Sequence, residues 1–212
     1  MLPTLIHYSR QKKSILTNTD GFLIDIEDNT TAWLSARLRR EREMRGWSLG
    51  QFAEKSGVSK AMISKIERGE ASPTATVLGR LSGALSLTVS ALLSRTPSIH
   101  HGVRSHATQP LWSDPETGYD RRQVLSGQKI PLELVEVNLP AGQQVTMPAS
   151  AFTFIQQAIW VLDGSLLFHE GNRVHKLDQG DCLELGPPQD CIFQNQSSEN
   201  CRYLVAVVRS MP

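Results

Sequence analysis

Lys60, Ala61, Ser64, Lys65 and Arg68 fall on one side of a short segment when its residues are turned by the helical angle, and Ile63 and Ile66 fall on the other. Two lysines placed this way can donate to the O6 and N7 acceptors of guanine or to phosphate oxygens, and an alanine methyl can meet the methyl of thymine. No Gln or Asn stands on that side, so bidentate reading of adenine is not available there. Selectivity would lean on lysine contacts and on DNA shape. An ordinary surface helix mixes charge signs on its polar face. Here the outer face is basic, and Glu67 lies toward the apolar side.

The flanking residues say what must hold this face in place. Ser48 with Gln51 three residues on makes a capping box, and Leu49, Phe52 and Ala53 follow as an apolar stripe at helical spacing. Gly57 stands where a helix ends in a left-handed residue, Val58 is expected to pack inward, and Ser59 can cap the next helix. That second helix is expected to end at Gly69, with Pro73 just beyond. Two further helices are predicted, one over about 74–85 and one over 88–93.

Residues from about 34 to 93 resemble the five-helix DNA-binding domain of lambda repressor-like, xenobiotic-response-element regulators. The pieces that carry the resemblance are Leu38–Trp47, the turn from Ser48 to Gly57, Ile63–Gly69, and Ser72-Pro73 with Leu78, Leu81 and Leu85. The resemblance implies that Lys60, Ala61, Ser64 and Lys65 face base edges, that Ser59 begins the reading helix, and that the helix beginning at Leu49 meets a phosphate with its N-terminal end. It also implies a structural pairing of Glu67 with Arg42, which agrees with the need of a core-side acid for a partner. Arg68, Arg39 and Arg45 read as phosphate-contacting or solvated.

Charge is divided along the chain. The 212 residues carry a net charge of only +1, yet residues 30–71 hold nine Lys/Arg against five Asp/Glu and residues 111–212 hold seven against twelve. A basic module followed by an acidic one suits nucleic-acid contact at one end only. The expected organisation is an N-terminal extension over 1–30, a helix-turn-helix domain over 31–94, a linker over 95–110 and a second domain over 111–212. Within the extension, Lys12 and Lys13 are weak evidence for a basic arm, and Phe22–Ile24 could pack on the bundle. His100, His101 and His106 stand in a polar, proline-bounded stretch and read as solvated. Three cysteines without C-x-x-C spacing argue against a disulfide framework, and no apolar run suggests a membrane span or leader. A cytoplasmic protein is expected.

The second half changes period. Leu132–Leu139 alternates as a half-buried strand, Ala158–Leu162 is a dense apolar run, and Ser165–Phe168, Arg173–Leu177, Cys182–Leu185 and Cys201–Val208 are further strands between tight turns. Short strands at this spacing predict an all-β barrel or jelly roll. Cys182 and Cys201 read as core.

This half resembles the cupins, on Pro140–Gly142, Trp160–Leu166, Leu177–Leu183, Pro187-Pro188 and Asn195. The fold class implied for the whole chain is a five-helix lambda repressor-like domain followed by an all-β cupin, or double-stranded β-helix, barrel. A helix-turn-helix followed by a cupin is a layout of bacterial transcription regulators. Metal-binding cupins carry two histidines and a glutamate before the turn at Gly164 and a third histidine near the late prolines. Here the glutamate position holds Gln157, the first two histidine positions fall within Ser150–Thr153, and the last is Cys191. Those residues do not make a divalent-metal set, so no catalytic residue, metal or cofactor is expected. The residues that replace the metal set are the candidate lining of a ligand pocket: Phe152, Phe154, Gln157, Trp160 and Cys191, with either Gln156 or Gln157 facing inward. Cys191 reads as a buried small hydrophobe or, if its thiol were acidified, as an oxidant sensor.

The function expected is that of a homodimeric DNA-binding transcription regulator, with half-sites on a double-stranded operator about 34 Å apart and a barrel that binds a small-molecule effector. A barrel enzyme tethered to DNA and a barrel that only dimerises are the competing readings.

Overall fold

The structure, a computed structural model, describes residues 15–17, 23–93, 102–126 and 131–209, with the backbone alone for 15–17, 23–31 and 209. Lys12, Lys13, Phe22, His100 and His101 lie outside the described residues or side chains. The first described elements are an antiparallel pair, β1 (Ile15–Thr17) and β2 (Leu23–Asp25). Helix α1 (Ile26–Met44) then begins inside the stretch expected to be an extension.

Four more helices follow, α2 (Leu49–Ser56), α3 (Lys60–Glu67), α4 (Ala75–Ala84) and α5 (Val89–Leu93). Each starts at a hydroxyl that accepts a first-turn amide. Ser48 Oγ accepts from Gln51 N at 3.2 Å while Gln51 Oε1 accepts from Ser48 N at 2.8 Å, which is the expected capping box. Ser59, Thr74 and Thr88 cap the next three helices. Gly57 closes α2 at φ +64°, a conformation that strains any residue with a Cβ. Leu34 and Leu38 of α1, Phe52, Ile63, Ile66, Leu78, Leu81 and Leu92 are each at most 2 % exposed and form the bundle core. Burying a side chain of this size contributes roughly 1.5–3 kcal/mol.

From residue 102 to 110 the chain is mostly exposed but is tethered to the barrel by hydrogen bonds. A 3₁₀ turn spans His106–Thr108, Arg104 donates to Ser126 Oγ at 3.2 Å and Arg122 to the His106 carbonyl at 3.3 Å. The strands are β3 (Leu111–Ser113), β4 (Asp120–Leu125), β5 (Leu132–Leu139), β6 (Gln144–Met147), β7 (Ile155–Asp163), β8 (Ser165–Glu170), β9 (Arg173–Asp178), β10 (Cys182–Glu184), β11 (Cys191–Gln194) and β12 (Cys201–Arg209). Six form one antiparallel sheet in the order β10-β7-β12-β5-β4-β3, and four form a second in the order β6-β11-β8-β9. The sheets face each other as a jelly roll. Phe193 of β11 stacks on Tyr203 of β12 across the gap, with ring centres 5.9 Å apart. Cys201 is buried as expected, whereas Cys182, on the edge strand β10, is exposed.

The two halves dock closely. Gly79 and Gly83, one turn apart on α4, rest on Met147, Pro148 and Ser150 of the barrel; a Cβ at Gly83 would lie 2.8 Å from the Ser150 backbone. Asp114 Oδ2 accepts the Ala75 amide at 2.6 Å, at the start of α4. Thr88 Oγ1 donates to the buried carboxylate of Glu133 at 3.0 Å. Helix α4 is thereby held at its start and along its side by the β half.

Candidate nucleic-acid interface and cavity

Helix α3 presents the face that its sequence predicts. Ile63 and Ile66 are 1 % exposed, while Ser59, Lys60, Ala61, Lys65 and Arg68 are on the outside and Ser64 is half-buried. Neither α2 nor α3 has an acid in its first turn, so the positive ends of both helix dipoles are left uncompensated. Leu49 is half-buried against the core, and what it offers outward is the backbone amide that opens α2. The first amides of a helix have no intrahelical acceptor, which suits them to a phosphate oxygen.

Several charges on this side are already engaged. Glu67 accepts two bonds from Arg42, each 2.7 Å, and a third Arg42 donor meets the Trp47 carbonyl at 2.9 Å. This fork ties α1 to the back of α3 and to the turn before α2. Arg68 makes a two-point pair with Glu70 at 2.6 and 2.7 Å and also donates to Ser64, so its charge is locally balanced. Arg45 differs from the solvated or phosphate-bound residue expected. It pairs with Glu41 at 2.6 Å and donates to the Leu85 carbonyl at 2.6 Å, joining α1 to the end of α4. Arg39 is exposed and pairs with Glu43 at 2.8 Å. Lys60 and Lys65 remain the outward cations at the front of the helix.

Inside the barrel, a cavity of about 40 Å³ is walled by both sheets and by helix α5. Phe152 and Gln157 line it, as the sequence predicts. The other three expected lining residues are not brought there. Along β7 the side chains alternate, so Gln157, Ile159 and Val161 point inward while Gln156 and Trp160 point out; Trp160 is 49 % exposed. Phe154 is 54 % exposed and sits over a separate crevice beside Leu87 and Ala91. Cys191 is buried, but Met147 and Phe193 occupy the wall next to it. Burial first, and then the carboxylates of Glu170 and Asp190, push its thiol up to about 12. A thiol held so firmly protonated is a poor nucleophile, which favours the reading of Cys191 as a buried hydrophobe.

Four polar residues that line the cavity, Thr88, Ser90, Tyr119 and Arg121, carry no sign of it in the sequence. Arg121 donates to the Tyr119 hydroxyl at 2.9 Å and lies 3.5 Å from Ser90 Oγ. Its Nε and the Gln157 Nε2 are buried without a hydrogen-bond partner. Among the described residues no three His, Cys, Asp or Glu side chains converge on one point. An amide and a guanidinium do not fit the divalent cation that metal-binding cupins hold.

Residues 38–92 match the helix-turn-helix family model. The N-terminal bundle is a helix-turn-helix domain. Over 77 residues the chain is 42 % identical to the HTH-type transcriptional regulator SutR of Escherichia coli (strain K12), covering 34 % of this chain and 43 % of SutR. Over 61 residues it is 36 % identical to the HTH-type transcriptional regulator SinR of Bacillus subtilis (strain 168), covering 28 % of this chain and 55 % of SinR. The chain thus spans about half the length of these curated relatives. The crystal structure of an HTH_3 family transcriptional regulator from Vibrio cholerae superimposes with a TM-score of 0.73 at 24 % identity, over 87 % of this chain and 99 % of that one. The shared fold therefore extends from the helix-turn-helix domain through the barrel.

Proposed function

We propose that this chain is a transcription regulator whose helix-turn-helix domain reads a two-fold operator and whose barrel binds a small-molecule effector without metal or catalysis. The observation that carries the DNA reading is the front of α3, where Lys60, Ala61 and Lys65 stand outward beside a helix N-terminus free of acids. Ser59, Ser64 and the amide at Leu49 supply further donors to the backbone and base edges, and Arg68 can exchange its Glu70 partner for a phosphate.

Effector sensing is supported by where the cavity lies. Its walls include Thr88, Val89 and Ser90, which open helix α5 of the bundle, so a molecule inside touches both halves at once. A ligand shifts an equilibrium only through different affinities for two states, and a cavity on the seam supplies such a difference. Homodimerisation is supported by the outer face of the six-stranded sheet. There exposed Trp160 has Leu204 and Cys182 as cross-strand neighbours, and exposed Val208 extends the patch along β12.

The test is operator selection from random duplexes with the full chain, followed by binding of the selected site. A palindrome with half-sites about one helical turn apart is expected. Failure to enrich any duplex would overturn the reading. The enzyme alternative predicts tightly held stoichiometric metal and substrate turnover.

A further inference from the structure

We propose that the seam cavity is a site for a short-chain carboxylate, with Arg121 and Gln157 holding the carboxylate head. Its regulatory meaning rests on the effector reading above.

Buried charges are normally paired, because taking an ion from water is costly unless a partner compensates. Arg121, half-buried, lines the cavity, and among the described residues no carboxylate pairs with it; its side chain meets two neutral hydroxyls, those of Tyr119 and Ser90. One of its donors, Nε, is buried and unused, and the Gln157 amide, on the same cavity, also buries an unused donor. Two spare N–H donors, one of them cationic, ask for an anionic acceptor. A guanidinium fork is matched in shape by a planar carboxylate. The nearby acid, Glu133, accepts from Thr88, whose own oxygen takes the Ala91 amide, so that hydroxyl is committed.

The remaining lining favours a carbon tail. Val205 and Val207 of β12, Met147 of β6 and the Phe152 ring are apolar. A bare inorganic anion would leave that surface unused. Size limits the tail: a single water needs about 10–15 Å³ measured this way, and the cavity offers about 40 Å³. A carboxylate with one or two further carbons fits with little movement. Anything longer presses on Thr88–Ser90 and so on α5.

The experiment is titration of the full-length protein with acetate, propionate and pyruvate at constant ionic strength, read by calorimetry and thermal shift, with propionamide and sodium nitrate as neutral and inorganic controls. Saturable stabilisation by a carboxylate is expected, with at least tenfold weaker binding of both controls. Arg121→Gln and Gln157→Glu should each weaken carboxylate binding at least tenfold; the second removes a donor and adds repulsion, and serves where the first fails to fold. Equal binding of propionate and propionamide, unchanged binding in a folded Gln157→Glu variant, or no saturable binding by any carboxylate would overturn the proposal. Operator binding in the same samples separates the two readings. Carboxylate binding that leaves operator affinity unmoved sinks the effector role and keeps the site; intact operator binding without carboxylate binding sinks the site alone.

Discussion

Asp114 of the barrel accepts the Ala75 amide at 2.6 Å, so the first turn of a bundle helix is completed by a residue thirty-nine positions further on. The other carboxylate oxygen of Asp114 holds the Glu116 and Thr117 amides, and the side chain is buried. One residue thus organises a turn of the barrel and caps α4. Asp114→Ala should cost about 1–3 kcal/mol, the range for a buried group left without its partner. Urea unfolding followed by helix and tryptophan signals should also separate into two transitions, because the seam loosens before either core does. A single transition at the wild-type midpoint would contradict this role.

Gly83→Ala and Gly79→Ala should behave differently, although both replace glycine in one helix. Helix propensity favours alanine by about 1 kcal/mol at each. At Gly83 the new Cβ meets the Ser150 backbone at 2.8 Å, which cannot yield without moving the barrel surface. At Gly79 the close atom is the Met147 sulfur, the mobile part of a flexible side chain. Gly83→Ala is therefore expected to lower the melting temperature and Gly79→Ala to leave it nearly unchanged.

Lys60→Ala with Lys65→Ala should abolish specific operator binding while the melting temperature stays within error, since both side chains point away from the core. Removing one base-reading side chain weakens discrimination by about 1–3 kcal/mol. Glu67→Ala should do the reverse first. It leaves Arg42 with the Trp47 carbonyl and Glu43, 3.6 Å away, and destabilises the bundle by about 1–3 kcal/mol, the range for losing a partly buried charged hydrogen-bond partner. Circular dichroism melts beside gel-shift titrations distinguish the two classes.

For the homodimer proposed above, Trp160→Glu should shift sedimentation velocity from dimer to monomer without loss of the fold, because the ring stands on the outer sheet face. Unchanged sedimentation would move the dimer contact elsewhere.

Iodoacetamide at pH 8 should label Cys182 quickly in the folded protein and spare the other two cysteines, which are buried. Burial raises Cys201 to about 11 and Cys191 to about 12, from an ordinary value of 9.0. A thiol raised on folding lends stability that is complete below pH 9 and lost as pH climbs through 11 and 12. Melts from pH 8 to 11 should fall accordingly. Cys191→Ser, which cannot ionise in that range, should show a shallower decline.

The outward basic face of α3 and its supports were legible in the sequence because they are local. Capping hydroxyls, the Gly57 turn and the two isoleucines all act within one helical turn, and even the Arg42–Glu67 pair follows from a recurring domain. The cavity was legible only in part. Parity along β7 decides that Gln157 enters and Trp160 does not, and the sequence leaves that parity open where polar and apolar residues stand side by side. Strand β4, Asp120–Leu125, carries Arg121, Arg122 and Gln123 together, so no alternation announces it. The part played by α5 in walling a barrel is a tertiary fact with no local signal.

The close seat of α4 on the barrel has a practical consequence for protein engineering. A β half grafted onto another helix-turn-helix bundle needs that bundle to present a bare patch where Gly83 lies, and an open helix start for Asp114 to fill. Chimeras that join the halves through the connecting stretch alone should yield two folded parts without crosstalk. Transferring α4 and α5 together with the barrel should keep the seam, and with it the effector response proposed above.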